Sequence, residues 1–173
     1  MIARSIFNGI NTLPYSARDG MVEYALGGLF KDNCILAREV KTLRDGVFEV
    51  SFIFPKYQRT VDALGHVSAN QINEAIIEGM NCAIAQAIAD GMFPLGVNLE
   101  WYREHWADWI VSRQFVEYRK MLDPFRPVSL SYSLLAVEHK VFRREFYRVT
   151  MGLDGFVRGE VDWLIETKHI HGD

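Results

Sequence analysis

Gly65-His66-Val67-Ser68-Ala69-Asn70-Gln71-Ile72-Asn73-Glu74 opens the one long helical segment of this chain, and its reading decides the fold. Beyond it Ile72, Ala75, Ile76, Gly79, Met80, Ala83 and Ala87 recur at helical spacing, which predicts a helix over 68–90. Ser68 or Asn70 can serve as N-cap, with Gln71 or Asn73 nearby to complete the cap, and Asp90-Gly91 ends the run. The small residues Ala75, Gly79, Ala83 and Ala87 suit close packing against a sheet. A helix start of this kind offers backbone N–H groups to a developing negative charge. His66 sets a proton donor or acceptor beside them.

Outward from the helix the chain reads mostly as paired strands. Upstream, residues 34–44 are β-compatible and Asp45-Gly46 marks a hairpin turn. Phe48, Val50, Phe52 and Phe54 then alternate with Glu49, Ser51 and Ile53, a half-buried strand stopped by Pro55. A loop over 56–67 leads into the helix. Downstream, 94–105 is a loop or short helix rich in aromatics, and a β-compatible run covers about 107–121. Val128, Leu130, Tyr132 and Leu134 alternate with Ser129, Ser131 and Ser133. A break is expected near Glu138-His139-Lys140, followed by strands at about 141–152 and 156–166 joined at Leu153-Asp154-Gly155. On the last strand Val157, Val161 and Trp163 face one way and Arg158, Glu160 and Asp162 the other. A short helix is expected around Met21 to Leu29, within an N-terminal extension over 1–33. The order β-β-α-β-β-β-β implies an α+β fold, a single domain over 1–173 in which an antiparallel sheet wraps one long central helix, the hotdog layout. Edges of such a sheet need cover, so a homodimer or higher homo-oligomer is expected.

Composition sets the bounds. The chain has 173 residues, 49% hydrophobic and 24% charged, enough for one well-buried core. Its net charge of −3 favours neither nucleic acid nor an anionic membrane as partner. Two cysteines, Cys34 and Cys82, without metal-ligand spacing, fit a reducing cytoplasm. No signal peptide, membrane span, metal cluster or cofactor motif is expected. His169 and His171 lie in a polar tail with no assignment.

Over roughly 34–166 the chain resembles the hotdog thioesterase-like proteins typified by the mycobacterial fatty-acyl-CoA type III thioesterase. It resembles equally their relatives in polyketide and lipopeptide pathways that add glycine to enoyl thioesters. Asp62-Ala63-Leu64-Gly65-His66 carries the resemblance, an acidic residue and a short gap before glycine-histidine at the helix entry. Where that family has a tyrosine before the aspartate, Thr60 stands here, with Tyr57 slightly earlier. Its aromatic-asparagine pair after the histidine is replaced by Val67-Ser68, with Asn70 later. The resemblance implies a substrate held on CoA or an acyl carrier protein.

A thioester carbonyl needs an oxyanion site and an activated nucleophile. Backbone N–H groups near Ser68–Gln71 are candidates for the first. His66 is the candidate base or acid, with Asp62 orienting its ring. Ser68, Asn70 and Asn73 can hold the carbonyl or a polar co-substrate, and Gln71, Glu74 and Tyr57 complete the candidate binding set. Arg59 can hold the carboxylate of an incoming glycine, which hydrolysis would not need. Each has a plainer reading: Ser68 and Asn70 as caps, Asp62 as a turn residue, Glu74 and Glu78 as solvated or dimer-facing carboxylates. Arg143, Arg144 and Arg148 can meet an acidic carrier protein or a CoA phosphate, or simply face solvent. Trp101, Tyr102, Trp106 and Trp109 can line an acyl tunnel or belong to the core. Three functions stay open: hydrolysis of acyl or enoyl thioesters or glycine addition to them, dehydration of 3-hydroxyacyl thioesters, and non-catalytic acyl or carrier-protein binding.

Overall fold

The computed structural model describes residues 18–30, 34–55, 67–141 and 143–171. Their elements run α1 (Gly20–Leu26), β1 (Ala37–Arg44), β2 (Val47–Ile53), α2 (Ala69–Ala89), α3 (Leu99–His105), β3 (Ile110–Tyr118), β4 (Pro127–Val141), β5 (Glu145–Gly155), β6 (Val157–Glu166) and the helical turn α4 (Lys168–His171). The six strands form one sheet in the order β1-β2-β4-β5-β6-β3, every pairing antiparallel. Strand β3 follows α2 in sequence but joins the far edge beside β6, so the chain crosses the sheet through α2. The long helix spans Ala69–Ala89, and short helices stand near Met21 and within 94–105, where the sequence placed them.

Alternation in the sequence becomes burial in the sheet. Phe48, Val50, Phe52 and Phe54 are all fully buried, and the β2–β4 register sets Phe48 against Tyr132 and Val50 against Leu130. Asp45-Gly46 turns β1 into β2 with Gly46 at φ 67°, a left-handed conformation that glycine adopts without a steric cost. Across the layer α2 buries Ile72, Ile76, Met80, Ala83, Ile84 and Ala87. The two layers meet most tightly at Gly79. A Cβ added there would stand 2.0 Å from the Tyr132 hydroxyl oxygen. That hydroxyl donates to the Ala75 carbonyl at 3.1 Å, so the missing side chain on the helix makes room for a sheet-to-helix hydrogen bond.

One reading changes, and packing gives two others their detail. The charged run Glu138-His139-Lys140 does not break the strand: β4 continues to Val141, and β5 begins at Glu145. Glu138 stands opposite Arg148 and His139 opposite Tyr147 in the β4–β5 register. Glu138 accepts from Arg148 and pairs with Lys140 at 3.2 Å, so these charges form a cross-strand face. Asp162 faces away from Val161 and Trp163 as expected, yet it is 2% exposed. It accepts from the Thr150 hydroxyl at 2.8 Å and pairs with Arg113 Nε at 2.8 Å. The aromatic cluster joins the core. Trp109 packs against Phe93, Tyr102 and Trp163, and the buried Tyr102 hydroxyl donates to Asn81 Oδ1.

Candidate active site at the start of the long helix

Ser68 is the N-cap of α2, and Gln71 closes the capping box. The Ser68 hydroxyl accepts from Gln71 N, and Gln71 Oε1 accepts from Ser68 N at 3.0 Å. The Gln71 side-chain nitrogen donates in turn to the Pro55 carbonyl at 2.9 Å, so one buried amide joins the end of β2 to the start of α2. Two backbone bonds tie both ends to the segment after β3. Val67 N donates to the Leu122 carbonyl at 2.9 Å, and Phe125 N donates to the Phe54 carbonyl at 2.8 Å. Phe125 takes φ 65°, uncommon for a bulky side chain and worth roughly 1–2 kcal/mol of strain. Its bond to Phe54 holds it there.

This frame brackets residues 56–66. Tyr57, Arg59, Asp62 and His66 belong to that stretch and lie outside the described residues. The helix start they lead into is described. The backbone N–H groups of Ala69 and Asn70 precede the first intrahelical bond, from Ile72 N to the Ser68 carbonyl. Asn70 and Glu74 are exposed, and burial of its surroundings still raises the Glu74 carboxyl above its ordinary pKa. Asn73 Oδ1 accepts from Gln114 at 3.1 Å and from the Tyr118 hydroxyl at 3.5 Å, linking α2 to β3. Next to these contacts is a groove of about 340 Å³. Val67, Ala69 and Ile72 line one side and Tyr118, Met121 and Leu122 the other, with Arg119 and Lys120 also on its wall. Arg119 reaches Asp154 only at 4.0 Å and stays largely exposed.

Glu78 differs from the sequence reading. It is 1% exposed, not solvated, and its Oε2 accepts from Leu36 N at 2.8 Å and Ala37 N at 2.9 Å. Desolvation outweighs these two bonds and raises its pKa to about 7. The carboxyl thus anchors the start of β1 to the middle of α2. Of the basic residues near the β4–β5 turn, Arg144 pairs with Glu166 at 2.7 Å and Arg148 with Glu138, while Arg143 is exposed. Most of that cationic charge is therefore answered within the sheet.

The strand order, with the long helix entering between β2 and β3, fits the α+β hotdog class. No family model matches the chain and no curated protein sequence is similar to it. Among solved structures, the chain is similar to a thioesterase superfamily protein at 14% identity and TM-score 0.42. That match covers 73% of this chain and spans only 52% of that one. It is similar to the HP0420 homologue from Helicobacter felis at 15% identity and TM-score 0.47, covering 87% of this chain and 93% of that one. A thioesterase superfamily protein from Shewanella loihica matches at 14% identity and TM-score 0.39, covering 73% of this chain and 90% of that one. No helix among the described residues is long and apolar enough to cross a membrane.

Proposed function

We propose that the chain is a thioesterase-like hotdog enzyme acting on acyl or α,β-enoyl thioesters of CoA or an acyl carrier protein. The reaction is hydrolysis, or conjugate addition of glycine to give a β-amino acid. The observation that carries this reading is the groove at the start of α2. It is apolar along Val67, Ile72, Met121 and Leu122 and cationic at Arg119 and Lys120, and it adjoins a helix N-terminus. Its volume lies at the lower end for a ligand pocket, which suits a short acyl chain. The cations suit the phosphates of a thioester carrier. In this reading His66 is the base, Asp62 orients it, and Ser68 with the first N–H groups of α2 faces the thioester oxygen. Arg59 holds the glycine carboxylate, and Tyr57, Asn70, Gln71, Asn73 and Glu74 border the substrate.

A second copy of the chain completes the groove in this proposal. Strand β3 pairs only with β6 among the described residues and exposes Ile110, Val111, Phe115 and Tyr118. A non-catalytic acyl binder is the second reading, favoured by the Ser68 and Gln71 side chains, whose hydrogen bonds are committed to the helix cap and to the Pro55 carbonyl.

Mass spectrometry of products from short- and medium-chain enoyl thioesters, with and without glycine, separates these readings. Free enoic acid alone means hydrolysis; an N-carboxymethyl β-amino product means conjugate addition. Turnover should fall at least about a hundredfold in His66→Ala if that residue is the base. Tight acyl-thioester binding without turnover of either kind would favour the binder.

A further inference from the structure

We propose that His105, Asp108 and His169 form a binding site for a divalent metal ion of the zinc type, apart from the groove at the start of α2. One ligand atom from each of the three lies within 4.8 Å of those of the other two. His105 closes α3, Asp108 follows in a 3₁₀ turn over Trp106–Asp108, and His169 comes from α4 at the far end of the sequence. Two imidazoles and a carboxylate are a donor set that suits zinc, with a fourth position left for water.

Trp101 prepares the two histidines. The His105 Nδ1 atom lies 2.9 Å from the Trp101 carbonyl oxygen. A carbonyl only accepts, so Nδ1 carries the proton and Nε2 keeps its lone pair for a ligand. A ring N–H donated to a backbone carbonyl is the usual support of a metal-binding histidine. The Trp101 indole stacks on His105 with ring centres 5.0 Å apart, and its Nε1 donates to the His169 carbonyl. The two histidine rings stand 5.4 Å apart at 62°. His169 Nδ1 and Asp108 Oδ2 are 3.5 Å apart, close to the roughly 3.3 Å that two ligands on a tetrahedral zinc would show. Both histidines are half-buried and Asp108 is exposed, so an ion can enter from solvent. Bound there, it would fasten α4 to the end of α3.

The test is a titration of tag-free, chelator-stripped protein with Co²⁺ and then Zn²⁺, followed by visible absorption and calorimetry. One Co²⁺ per chain is expected, displaced by Zn²⁺, with a Kd below about 100 μM. His105→Gln, Asp108→Asn and His169→Ala should each weaken binding at least about tenfold. Zinc should raise the thermal midpoint of the parent protein and not that of the variants. His169→Ala removes only the ring contact with His105 and the pairing with Asp108, and circular dichroism of each variant verifies that its fold is kept. No one-to-one binding below about 100 μM overturns the proposal. So does binding that all three folded variants retain, because the ion would then sit elsewhere.

Discussion

Strands β2 and β3 have similar lengths and opposite fates. β2 lies inside the sheet, flanked on both sides, and its phenylalanines are fully buried against α2 and β4. β3 lies at the edge, and Phe115 at its centre is 72% exposed. Both strands carry apolar side chains, so composition does not separate them. What separates them is how many neighbours the topology supplies. Among the described residues β2 is flanked by β1 and β4 while β3 has β6 alone, and the proposed groove opens at the β3 edge.

The largest effect should come from the β2 side. Phe48→Ala should cost about 3–5 kcal/mol in a denaturant titration, because the cavity forms between layers that have no room to collapse. A loss below about 1 kcal/mol would mean that this core is looser than its burial implies. The second contrast concerns charge. The Glu78 carboxyl is raised in the folded chain from an ordinary value near 4.5 to about 7. Between those values the folded state holds a proton that the unfolded state has released. The contribution of Glu78 is therefore fully present below pH 4.5 and is lost as pH rises through 7, by roughly 3 kcal/mol. Glu78→Gln should remove that fall and gain stability at pH 8 relative to the parent, while Glu160→Gln on the exposed pair with Arg113 should stay within about 0.5 kcal/mol. Denaturation at pH 5 and pH 8 checks both; parallel pH profiles for parent and Glu78→Gln would refute the assignment. The smallest effect on chain stability belongs to β3. Phe115→Ser should change it by no more than about 0.5 kcal/mol. The same substitution should weaken self-association in sedimentation if β3 meets a second copy; unchanged association would place any dimer contact elsewhere.

Much of the framework was readable in the residues themselves. The alternation over Phe48–Phe54, the Ser68 cap with Gln71 three residues on, and the Asp45-Gly46 turn are local signals, and each appears where expected. What escaped was set by distant partners. Glu78 looked solvated because nothing near it in sequence shows that the N–H groups of Leu36 and Ala37 would meet it. The run 138–140 looked like a turn because its charges are answered across the strand by Arg148 and within it by Lys140. His105 and His169 carry no spacing signal, since only the folding of α4 against α3 brings them together. For the site, Ser68 and Gln71 were legible as a cap, whereas the groove beside them needs Tyr118–Leu122, whose approach to α2 depends on the crossover of the chain.

The Gln71 bond to the Pro55 carbonyl has a consequence for how such a protein can diversify. With Val67 and Phe54 also fastened to the strand-end segment, the two ends flanking residues 56–66 are held by contacts that belong to the scaffold. Closing a chain between fixed ends becomes harder only slowly with length, so doubling that stretch would cost only about 0.6 kcal/mol. The scaffold can therefore tolerate a change of length in that interval at little cost, so long as Asp62 and His66 are kept for the chemistry proposed above.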